Sequence, residues 1–220
     1  MKLKVCGMKY IENIQQVAEL NPDYLGFIFY DRSPRNFEGI IPELPKEIKK
    51  AGVFVNEIPE ILVSLVEEYG LKMVQLHGDE SPEYILRLKE IFKESIVLKH
   101  QKSKYKIPEI VKVFGVKDDF NFEVLKPYEE LVDYFLFDTK GKERGGNGIT
   151  FNWKLLENYN STKSFFLSGG IGLNEVAAIK ELQKTSLPIY ALDVNSKFET
   201  EAGLKSVKKL KQFKTEIYGK

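Results

Sequence analysis

The 220-residue sequence is poor in the residues that build metal and redox sites: it has one cysteine and two histidines. A single thiol permits no internal disulfide, so the expected compartment is a reducing cytoplasm. His77 and His100 do not form a ligand pair by spacing and no second cysteine exists, so no metal is expected. An excess of charge is also missing. Lys and Arg total 33 against 32 acidic residues, which gives no field to gather nucleic acid or an anionic membrane. No stretch approaches the roughly 18 apolar residues of a membrane span, and the apolar run at the start is too short for a signal peptide. Neither a Walker A run nor Gly-x-Gly-x-x-Gly follows a strand, which removes the usual nucleotide signals. What is present is 43% hydrophobic and 12% aromatic residues, enough for a substantial core in one domain over 1–220.

The chain alternates short apolar runs with helical periodicity. Strands are expected at Leu3–Cys6, Tyr24–Phe29, Gly52–Val55, Met73–Leu76, Tyr134–Phe137, Ser164–Leu167 and Ile189–Leu192. Between the fourth and sixth of the eight strands, both Ile96–Leu98 and Ile110–Val116 look like strands; the second is favoured as the fifth, the first as an extension or insertion. Helices follow at Ile11–Ala18, weakly at Pro42–Lys50, and then at Ile61–Tyr69 with Gly70 as its stop. Ser81 and Pro82 open another, and Phe122–Leu131 should break at Pro127. Later helices are expected near Asn152-Trp153, at Asn174–Gln183 and at the C-terminus. Eight strand–helix units of about 25 residues argue for a single (β/α)8 TIM barrel, an α/β fold. A doubly wound open sheet is the alternative. In such a barrel the polar residues at strand ends converge on one mouth, whatever their separation in sequence.

Several strand ends carry chemistry. Cys6 closes the first strand beside Lys4 and Lys9; a thiol there becomes a base or nucleophile once its pKa falls, and is otherwise a small buried hydrophobe. Asp138 follows four apolar residues, where desolvation raises a carboxyl pKa; capping a loop is its ordinary alternative. Arg35, with Arg32 as competitor, is placed to clamp a carboxylate bidentately. Gly145–Gly148, Ser168–Gly170 and Asn195-Ser196 offer backbone donors in the quadrant where barrels hold phosphate.

Lys4-Val5-Cys6-Gly7-Met8-Lys9, Gly26–Phe29 with Ser33-Pro34-Arg35, Gly52–Asn56, Val74–Glu80, Phe137-Asp138-Thr139, Gly145–Gly148 with Phe151-Asn152-Trp153, Ser168-Gly169-Gly170 and Leu192–Ser196 occur in one order. Together they resemble the phosphoribosylanthranilate isomerases of tryptophan biosynthesis. The resemblance implies an Amadori rearrangement of N-(5-phosphoribosyl)anthranilate without cofactor or metal. It implies Asp138 as general acid, Cys6 as general base, Arg35 on the anthranilate carboxylate, and Gln75, His77 and Asp193 as further substrate-site residues. It places the phosphate near Gly146, Gly148, Gly169, Gly170 and Ser196. The implied partner is a small phosphosugar, handled by a monomer or homodimer. Asn147 stands where the family usually has Thr, and Asn195-Ser196-Lys197-Phe198-Glu199 where a Ser-Ser-Gly-Val-Glu run is common. The basic stretch 99–106 matches nothing in the family.

Overall fold

Each central strand is apolar on both faces, the pattern of a sheet covered by helices outside and packed against itself inside. In the computed structural model residues 1–98, 106–139 and 150–219 are described. Eight parallel strands close a barrel: β1 (Lys2–Val5), β2 (Tyr24–Phe29), β3 (Lys49–Phe54), β4 (Met73–Leu76), β5 (Glu109–Val116), β6 (Tyr134–Thr139), β7 (Phe165–Leu167) and β8 (Ile189–Val194). Closure comes from β1 against β8, where Lys4 pairs with Asp193 in register. Helices α1 (Ile11–Ala18), α2 (Pro59–Tyr69), α3 (Pro82–Leu98), α4 (Val176–Leu182) and α5 (Val207–Tyr218) cover the outside. The (β/α)8 expectation holds.

Several local expectations do not. Residues 42–48 form no helix: Pro42 and Pro45 interrupt any ladder, only a turn from Ile48 to Pro45 forms, and β3 begins at Lys49. Ile96–Leu98 is neither a strand nor an insertion; it is the last turn of α3. Ile110–Val116 is the fifth strand, as favoured. Phe122–Tyr128, containing Pro127, is a 3-10 helix, as is Trp153–Asn158. After β8 a small hairpin, β9 (Glu199–Glu201) and β10 (Leu204–Lys205), precedes α5.

Alternation along the strands separates core from site. Tyr24, Met73, Leu136, Phe166 and Ala191 belong to a buried cluster distinct from the helix-facing shell. Two residues further on each of these strands, on the same face, stand Gly26, Gln75, Asp138, Ser168 and Asp193. The barrel interior therefore changes from apolar to polar within one step toward the carboxyl ends.

Candidate active site at the carboxyl ends of the strands

Lys4, one layer below Cys6, is wholly buried. Its ammonium donates to Gln75 Oε1 at 2.7 Å and to Asp193 Oδ1 at 2.9 Å. Burial opposes its charge, but Asp193 and Cys6 outweigh burial and hold its pKa above the ordinary lysine value. Of the two candidate lysines, Lys4 is thus the inward one; Lys9 instead donates to the Pro34 carbonyl at 3.2 Å.

An ammonium only donates, so Gln75 must present its carbonyl oxygen to Lys4 and its amide to His77. The Gln75 Nε2 to His77 Nδ1 distance is 3.2 Å. Nδ1 then accepts, which leaves the imidazole proton on Nε2, and Nε2 lies 3.6 Å from Asp138 Oδ2. A line runs from buried Asp193 through Lys4 and Gln75 to the half-buried His77 and on to Asp138. The other oxygen of Asp193 faces Ser168 Oγ at 3.5 Å.

Asp138 is 7% exposed. Burial, then the nearby Asp193 charge, pushes its pKa up to about 7, against the Thr139 N–H, which donates to Oδ1 at 2.8 Å, and Lys4. Gly169, with φ +87°, packs on this carboxyl: a Cβ there would meet Thr139 N at 2.6 Å and Asp138 Oδ1 at 3.0 Å. Cys6 is buried against Gly26 of β2, whose Cβ would lie 2.9 Å from the thiol sulfur. The expectation that its pKa falls is corrected here. Complete burial pushes the thiol pKa up, and Lys4 and Lys205 oppose this without prevailing because Asp193 adds to it. Lys4 and Asp193 act on both Cys6 and Asp138, which places the two in one electrostatic neighbourhood.

Arg35 is bidentate as expected, but its partner here is internal. Nε and Nη2 donate to the Glu199 carboxylate at 2.7–3.1 Å. The side-on edge is thereby used, and the end-on Nη1–Nη2 edge is what remains for a ligand. Arg32 is exposed. Gly169 and Gly170 both have positive φ, and Ser196 opens a 3-10 turn after β8. Gly146 and Gly148 lie outside the described residues. Glu199 and Lys205 were missed by sequence reasoning; an acid and a base six positions apart around a glycine carry no signal until the hairpin is known. Among the described residues no group of three or more His, Cys, Asp or Glu is placed to hold a metal ion, and no helix is long and apolar enough to cross a membrane.

This geometry agrees with what the chain resembles. The family model for N-(5'-phosphoribosyl)anthranilate isomerase matches residues 3–216. An N-(5'-phosphoribosyl)anthranilate isomerase of Parabacteroides distasonis is 39% identical, over 99% of this chain and 93% of the relative. That of Thermoanaerobacter pseudethanolicus is 37% identical over 100% and 98%. The solved phosphoribosyl anthranilate isomerase of Thermotoga maritima superposes with a TM-score of 0.80 at 28% identity, covering all of both chains. Another, solved in complex with reduced 1-(o-carboxyphenylamino)-1-deoxyribulose 5-phosphate, gives a TM-score of 0.78 at 27% identity over all of both chains. The chain belongs to the phosphoribosylanthranilate isomerase family, the isomerases of tryptophan biosynthesis.

Proposed function

We propose that this chain converts N-(5-phosphoribosyl)anthranilate to 1-(2-carboxyphenylamino)-1-deoxyribulose 5-phosphate, with Asp138 as general acid and Cys6 as general base, as one catalytic domain of the cytoplasm. The observation that carries this reading is the buried Asp138 carboxyl at the end of β6 beside His77, whose burial pushes its pKa up to about 7 and so keeps a proton available near neutrality. Asp138 gives that proton to the furanose ring oxygen. The C1–O bond breaks as the nitrogen lone pair forms the iminium. The Cys6 thiolate removes the proton from C2, and its electrons neutralise the iminium to give the enolamine. Tautomerisation of the enolamine yields the ketone, and the cycle closes when the thiol loses one proton and the carboxylate regains one.

The remaining roles are those the family resemblance implies, and the described geometry supports some of them. The end-on edge of Arg35 takes the anthranilate carboxylate. Backbone donors at Gly169 and Gly170, with Ser196, take the phosphate, and the resemblance adds Gly146 and Gly148 to them. Gln75, His77 and Asp193 fix the polar layer beneath the sugar. No cofactor or metal is assigned a step. The test follows the loss of substrate fluorescence: Cys6→Ala and Asp138→Asn should each lower kcat by several orders of magnitude, about 10²–10⁴ or more for loss of one acid or base, with an unchanged circular dichroism spectrum. Near-normal turnover in either variant removes that residue from its role.

A further inference from the structure

Lys205 is a buried cation outside the expected site. Its side chain is fully enclosed, and Nζ donates to Glu199 Oε1 and to Asn195 Oδ1, both at 2.6 Å. Its backbone is fixed from both sides by Asn13 of α1, at 2.7 Å to the N–H and 2.9 Å from the carbonyl. Asn195 and Arg35 meet over Gly7, the residue after Cys6: a Cβ on Gly7 would lie 2.8 Å from Asn195 Oδ1 and 2.8 Å from Arg35 Cδ. The cluster of Arg35, Glu199 and Lys205 therefore rests directly on the chain that carries the thiol.

The charges facing Cys6 come from four directions. Lys4, on its own strand, and Asp193 of β8 form a 2.9 Å pair that sums to zero. β2 contributes Gly26 and no charge. Arg35, from the loop after β2, and Lys205 of β10 share one carboxylate, Glu199 of β9, so this side carries one uncompensated positive charge. We propose that Lys205, clamped between Glu199 and Asn195, is a positioning residue for Cys6, supplying the positive potential that favours its thiolate, and that Glu199 sets how much of that potential reaches the sulfur. The proposal rests on Cys6 being the base for its catalytic meaning, though not for its measurement. In agreement, Lys205 is among the groups that pull the Cys6 pKa down; burial lowers that of Lys205 itself, and Glu199 opposes this.

Cys6 is the only cysteine, so cysteine labelled with ¹³C at Cβ gives one resonance whose shift titrates with the thiol. Lys205→Met should move the midpoint up by about one pH unit, roughly tenfold less thiolate below it. Glu199→Gln should move it down, because two cations then lose their counter-charge, and Lys205→Arg should stay near the parent. A merely structural role would not shift the first two in opposite directions. An unmoved midpoint in a folded Lys205→Met protein, or shifts of the same sign in both variants, overturns the proposal. If Lys205→Met does not fold, Glu199→Gln decides alone: a downward move supports the assignment, and no move or an upward one overturns it. The activity of Cys6→Ala tests the role of the thiol separately, so failure of one reading is distinguishable from failure of the other.

Discussion

At the scale of the residue, the carboxyl proposed as general acid also costs stability. An unfolded aspartate titrates at about 3.9, and burial pushes the native one up to about 7. The folded state thus binds the proton more tightly: its contribution is present at low pH and lost as pH rises through about 7. Asp138→Asn, neutral throughout, should match the parent near about pH 4 and exceed its stability above pH 7, by up to about 4 kcal/mol from the shift alone. Urea unfolding of variant and parent at the two pH values checks this, and a variant no more stable than the parent above pH 7 contradicts it. The same pair shapes the rate. The proposed mechanism needs Asp138 protonated and Cys6 ionised, yet burial favours the opposite arrangement, carboxylate and thiol, above pH 7. The productive form is the minor tautomer of the singly protonated pair, so kcat/KM should rise through about 7 and fall only above the ordinary thiol range. A profile already falling at pH 8 contradicts that assignment. Asp138 and Cys6 were legible in the sequence because each closes an apolar run. The direction of the Cys6 shift was not, since a lysine two positions away suggests a lowered pKa while its commitment to Asp193, 189 positions distant, is invisible.

At the scale of the element, buried ion pairs fix the strand ends. Lys112 of β5 donates to Glu80 Oε2 at 3.0 Å and to the Gly78 carbonyl at 2.8 Å. Glu80 also accepts from the N–H groups of Asn56, at 2.8 Å, and Gly78, at 3.0 Å. The segments that follow β3 and β4 are thereby tied to the middle of β5. Lys112→Met leaves Glu80 a buried charge without its cation and should cost about 3–5 kcal/mol; denaturant unfolding measures it, and a loss below about 1 kcal/mol contradicts the role given to the pair. The pairing of Glu80 with Lys112 was not legible, because a lysine in a strand says nothing about what faces it. The strands themselves were legible from their two-sided apolar runs. The connection before β3 is not the weak helix expected over Pro42–Lys50, because Pro42 and Pro45 govern it.

At the scale of the whole molecule, the C-terminal helix reaches from the hairpin beside the site to the amino end of β1. The phenol of Tyr218 on α5 donates to the carbonyl of Lys2 at 2.9 Å, and Phe213 packs edge-on to Phe198, ring centres 5.0 Å apart, just before Glu199. The C-terminal helix thus supports both β1 and the hairpin of Glu199 and Lys205. Phe213→Ala should cost about 3–5 kcal/mol and broaden the transition; a loss under about 1 kcal/mol means that α5 supports neither. Eight repeats of strand and helix made the barrel readable from the sequence, and the barrel brought Cys6 and Asp138 to one end without any local signal linking them. The most direct test of that convergence is a crystal structure of this chain with reduced 1-(o-carboxyphenylamino)-1-deoxyribulose 5-phosphate. The account expects the Cys6 sulfur near C2 and an Asp138 oxygen near O4, each within about 3.5 Å, with phosphate at Gly169, Gly170 and Ser196. A ligand bound with either side chain facing away from the sugar contradicts it.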